Sequence, residues 1–159
     1  MAKHQGTYVL RLTGDVRLTL SSSLEQCFDG MLANPEFSSV IVDVRSAECI
    51  DSTTLGLLAK LSLLVQARYD EVPSIVSTNP DITKILVSMG FKDQIFIILT
   101  ELPDATEALP TEVPEQPCSA EQTQARVLEA HKVLMNLNES NSQQFKDLVA
   151  ALEQANSSD

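Results

Sequence analysis

Val40-Ile41-Val42-Asp43-Val44, followed after a short connection by Ile50-Asp51-Ser52-Thr53-Thr54-Leu55-Gly56-Leu57-Leu58, is the stretch that decides the fold. The first part is a β-branched apolar run, which fits a strand buried on both faces. The second part opens on a carboxylate and three hydroxyls and continues as an apolar helix. Asp51 suits the cap of that helix, and Leu55, Leu57, Leu58, Leu61, Leu64 and Val65 form its core stripe. The first turn of a helix leaves backbone N–H groups unpaired and carries the positive end of the dipole. A hydroxyl held there is expected to be exposed, and a phosphate added to it can be received by those N–H groups. The segment therefore reads either as an unmodified helix start, where Ser and Thr oxygens satisfy the free N–H groups, or as a phosphorylation switch. Gly56 inside a helix costs about 1 kcal/mol relative to Ala, which points to close packing or close approach of a partner.

Upstream, Thr7 to Thr13 reads as a strand broken by Gly14-Asp15. Ser22 and Glu25 have capping-box spacing ahead of Cys27, Phe28, Met31 and Leu32, a helix ended by Asn34-Pro35. Downstream, Val72 to Ser77 reads as a strand. Asn79-Pro80 then caps and starts a helix through Ile82, Ile85, Leu86 and Met89, with Gly90 as its stop. Ile95 to Leu99 is a last strand. Strands alternating with helices predict an α/β domain with a largely parallel sheet over residues 1–100. Residues 101–118 carry Pro103, Pro110, Pro114 and Pro117 among acidic side chains, a stiff, self-repelling linker. Residues 119–159 form an amphipathic helical tail. Ser119 and Gln122 make a second capping-box spacing, and Asn138 to Ser142 forms a turn within the tail. Its apolar face needs a cover, which can be the domain, a symmetry mate or another protein.

The chain has 159 residues, is 43% hydrophobic and has no Trp, so its core is aliphatic. The net charge of -11 disfavours nucleic acid and anionic membranes as partners. Residues 101–159 hold 11 acidic and 3 basic side chains, net -8, whereas residues 1–100 hold 11 and 8, net -3. No apolar run is long enough to span a bilayer and no secretory signal is visible, so a cytoplasmic protein is expected without membrane insertion. Cys27, Cys49 and Cys118 have no close pairing, and His4 and His131 lie far apart, so neither a metal nor a cofactor is expected. Asp15 and Asp43 lie near strand ends that can approach the Ser52 loop. They lack a His, Lys or metal companion, so no catalytic residue and no enzyme is expected.

On Tyr8 to Asp15, Val40 to Val44, Ile50 to Leu58, Ser77 to Pro80 and Ile85 to Phe91, the chain resembles a STAS domain of the anti-sigma-factor-antagonist kind. The strand followed by Asp-Ser-Thr is the distinctive part. The resemblance covers roughly residues 5–100 and implies a mixed sheet flanked by helices on one side. It also implies a partner switch in a standalone bacterial regulator. The unphosphorylated protein captures an anti-sigma factor or an equivalent regulator. A serine kinase breaks the complex and a phosphatase, which can be part of a response regulator, restores it.

The family's phosphorylated hydroxyl maps to Ser52, with Thr53 as the second candidate. Asp51, Ser52, Thr53, Thr54, Gly56 and Asn79 fall on its partner-binding surface. Thr54 stands where the family often has Gly, and the short N-terminus leaves the family's first strand truncated or absent. The alternative is a non-phosphorylated STAS subunit of a membrane lipid-transport ABC system. The tail also allows a homodimer.

Overall fold

The computed structural model describes residues 1–103, 113 and 115–158, without the side chains of residues 2–4. The linker expected over residues 101–118 therefore lies largely outside the described residues.

Among the described residues, five strands form one sheet in chain order: β1 (Ala2–His4), β2 (Thr7–Val16), β3 (Ser39–Ile50), β4 (Ser74–Val76) and β5 (Ile97–Leu99). β1 and β2 form an antiparallel hairpin, and every later pair is parallel. The strand at the N-terminus is thus present, with three residues. The crossovers carry α1 (Ser21–Ala33), α2 (Ser52–Tyr69) and α3 (Pro80–Ser88). Right-handed crossovers that step always in one direction along a sheet put their helices on the same face. This sheet does step in one direction, and its side chains divide accordingly.

Tyr8, Leu10, Leu12, Val40, Val42, Val44 and Ile75 point into the main core with α1 and α2. Val9, Ile41 and Val76, alternating with them, form a small separate cluster with Leu99 and Leu102. On that second face Arg11 and Asp43 are register partners. Asp43, 1% exposed, accepts from Arg11 Nε at 3.1 Å and from Arg45 Nε at 3.0 Å. Burial pushes its carboxyl pKa up, but the bonds from Arg45 and Arg11 outweigh this and hold it below the ordinary range.

α1 departs from the sequence reading. Its cap position is Leu20, with no side-chain cap, because a short 3-10 turn over Leu18–Leu20 runs straight into the helix. Ser22 is therefore already inside the helix. Glu25 does not close a capping box with it and instead pairs with Arg126 and Lys60. The last strand is also shorter than the apolar run, since Ile95 and Phe96 are buried before β5 begins.

Among the described residues, two further helices follow, α4 (Ala120–Met135) and α5 (Glu139–Ser157). Ser119 and Gln122 form the expected capping box. Part of the tail's apolar face is covered by its own chain, while Leu148 stays exposed. Leu134 and Phe145 belong to the main core cluster. Asn141 Nδ2 donates to Met89 O and to Leu134 O, both at 2.9 Å. Among the described residues, no helix is long and apolar enough to cross a membrane.

Candidate functional site

Asp51 joins two elements at the start of α2. Its Oδ1 accepts from the Thr54 N–H at 2.8 Å, the N-cap bond, while its Oδ2 accepts from the Leu18 N–H at 2.7 Å. Its own N–H donates to Val16 O at 3.2 Å, which continues the β2–β3 pairing into the cap. Asp51 therefore ties the 3-10 turn after β2 and the first turn of α2 together through its carboxylate, and the end of β2 through its own N–H.

Ser52 is the first residue of α2. It is half-buried, not freely exposed as the sequence implied, because α4 lies across it. Ser52 Oγ is 2.8 Å from His131 Nε2. The other ring nitrogen, Nδ1, is 2.6 Å from Val127 O, an atom that can only accept. Nδ1 therefore carries a proton, and in the neutral ring Nε2 accepts from the Ser52 hydroxyl. His131 is 2% exposed, and its ring stands edge-on to Phe145 with centroids 5.1 Å apart.

Gly56 is one turn further along α2. A methyl group built there would stand 2.7 Å from Ala130 Cβ and overlap the Ala130 carbonyl. Close packing is the reason for this glycine, and the packing element is α4. Charged contacts frame the same crossing. Lys60 on α2 reaches Glu129 on α4 at 3.0 Å and Glu25 on α1 at 3.6 Å, and Arg126 on α4 pairs with Glu25. Burial pulls the Lys60 pKa down, but Glu129 and Glu25 more than offset it and leave it raised. The bond to Glu25 likewise raises Arg126.

The remaining expected site residues are separated by burial. Thr53 is 5% exposed and Thr54 is fully buried, its Oγ1 without a hydrogen-bond partner among the described residues. Thr54 thus belongs to the interior here, not to an accessible surface. Asn79 caps α3 by accepting from the Asp81 N–H at 3.0 Å, and lies half-buried on its own. Asp15 sits at the end of β2 and pairs with Arg17 at 2.7 Å, close in register to Cys49. Asp43 does not approach the loop. It lies inside β3, held by the two arginines on the opposite face.

His131 and Ala130 were not part of the sequence-derived site. A signal for them existed. α2 is apolar on nearly all sides, including Leu55, Leu57, Leu58, Ala59 and Leu61, and a helix of that kind needs a second cover besides the sheet. The described residues hold no cluster of His, Cys, Asp or Glu arranged to bind a metal. Chemically, the site offers one helix-start hydroxyl with a hydrogen-bond acceptor against it and an anchored carboxylate beside it.

The STAS domain family model matches residues 1–104, a span that contains the whole sheet, α1 to α3 and the Asp51–Ser52 turn. No curated protein matches the chain.

Proposed function

The chain belongs to the STAS domain family, and from that premise we propose that it is a bacterial anti-sigma-factor antagonist that works by partner switching, with Ser52 as its phospho-acceptor. In this reading it is a cytoplasmic binding module and not an enzyme. Its partners are an anti-sigma factor or equivalent regulator, a serine kinase and a phosphatase.

The observation that carries the reading is the Asp51–Ser52 turn. Asp51 is locked to Thr54 and Leu18, and it holds Ser52 at the first position of an 18-residue helix. A phosphoryl group there adds about -1.5 to -2 charges at neutral pH. A partner that packs a small hydroxyl against its own surface then meets an anion it cannot pair. Desolvating that charge is costly, so the complex weakens without any change of fold. Thr53, buried beside it, is the second candidate for modification.

A second reading is supported by the bond between Ser52 and His131. A hydroxyl already occupied within the chain also suits a loop that is never modified, as in a non-phosphorylated subunit of a lipid-transport ABC system. Incubating the full chain with ATP in an extract of its own cells, followed by intact-mass analysis, separates the two. The first reading expects one added phosphoryl group that is lost in Ser52→Ala. Equal incorporation in Ser52→Ala rules out Ser52, and no incorporation in either chain favours the second reading.

A further inference from the structure

α4 covers the face of α2 that begins at Ser52 and runs past Gly56 to Lys60. Three independent contacts hold it there. His131 takes the Ser52 hydroxyl at 2.8 Å. Ala130 sits on the bare backbone at Gly56, in space that a single methyl group would fill. Glu129 and Arg126 engage Lys60 and Glu25. Yet α4 buries only Ala130, His131 and Leu134, a narrow stripe for a helix of 16 residues. Leu134 anchors α4 in the main core, with Val133 and Met135 packed against it, so the Ser52 end of the contact rests on Ala130 and His131.

We propose that α4 is an intramolecular occupant of the partner face, and that closed α4 and a phosphoryl group on Ser52 exclude one another. The physiological part of this rests on the reading of Ser52 as phospho-acceptor. Its geometric part does not.

Atoms already at hydrogen-bond distance leave no room between them for a phosphorus and its oxygens. His131 swings aside only by breaking the bond from Nδ1 to Val127 O and leaving its edge contact with Phe145. α4 cannot slide outward without lifting Ala130 from Gly56. The Asp51 carboxylate adds like charge from the next residue. The modified chain therefore opens. An external partner that binds the bare Ser52 face must displace the same helix. The surface it takes accepts a helix with a small residue opposite Gly56, as α4 itself presents.

The test uses the full chain with phosphoserine placed at position 52 by genetic-code expansion, so no kinase is needed. Backbone hydrogen exchange is read by mass spectrometry in the bare chain, the phosphoserine chain and Gly56→Ala. Exchange in residues 121–135 is expected to rise by about tenfold or more in both altered chains, with β3 and β4 unchanged. Unchanged or stronger protection of α4 in the phosphoserine chain overturns the proposal, since the phosphate is then accommodated against His131. Loss of protection in β3 and β4 along with α4 overturns it too, because α4 is then part of one cooperative fold. If the exchange result holds but the natural protein never carries a phosphate on Ser52, the phospho-acceptor reading fails and the closing helix stands.

Discussion

Ser52 and His131, 79 positions apart in the chain, are joined by a hydrogen bond of 2.8 Å that connects the first residue of α2 to the C-terminal half of α4. The bond places the C-terminal helices on the site and not merely beside the domain. It also makes one hydroxyl answer to two demands, those of the fold and those of any partner.

The energetic weight of this pair is measurable by a double-mutant cycle. Ser52→Ala leaves His131 Nε2 unpaired in a buried position and is expected to cost about 1–2 kcal/mol. His131→Ala also removes the edge contact with Phe145 and opens a cavity, so its cost is expected to be larger, about 2–4 kcal/mol. The double variant should fall short of the sum by about 1 kcal/mol in urea unfolding. Strict additivity would mean that the two side chains do not interact in solution.

Asp51 is expected to be the most sensitive surface carboxylate of the domain. Asp51→Ala removes the acceptor for two backbone N–H groups, those of Thr54 and Leu18. A lost N-cap alone costs about 1 kcal/mol, and the second orphaned donor raises the expected total to about 2–3 kcal/mol. Asp51→Asn keeps one acceptor oxygen and should recover part of that loss in the same thermal or chemical unfolding assay. Equal destabilisation by both variants would contradict the capping account.

The far face of the sheet predicts an acid limit. Asp43 has a lowered pKa in the folded chain, because the bonds from Arg45 and Arg11 outweigh the upward push of burial. A carboxyl with a depressed native pKa contributes stability that is present above its ordinary value of 3.8 and is lost as the pH falls through the lowered native value. Unfolding free energy should therefore decline on acidification below about pH 4, and Asp43→Asn should flatten that decline while lowering stability at neutral pH. An unchanged acid slope in Asp43→Asn would assign the acid limit to other groups.

The local signals in the sequence read well because their physics is local. Asp51, Asn79 and Ser119 cap helices as their spacing indicated, and Gly90 ends α3 with a φ of +83°, a conformation that suits glycine. Strand lengths were less legible. β3 continues through Arg45, Ser46 and Glu48 to Ile50, because pairing with β2 carries the polar residues along. Ser22 and Glu25 had the right spacing and the wrong neighbours, since lysine and arginine from α2 and α4 claim Glu25. The candidate site was legible only on its α2 side. Gly56 announced close packing or the close approach of a partner there. Only the tertiary structure identifies Ala130 and His131 as the residues that do so, because a contact between α2 and α4 leaves no periodic trace in either segment.

The most direct test of the central claim is quantitative capture of partners from the native cell extract on two immobilised full chains, one with serine and one with phosphoserine at position 52. A protein held by the bare chain and depleted by about tenfold or more on the phosphoserine chain is the predicted result, equal to about 1.4 kcal/mol or more of lost binding. Equal retention of the same partner on both chains would contradict the claim that an anion at Ser52 governs association.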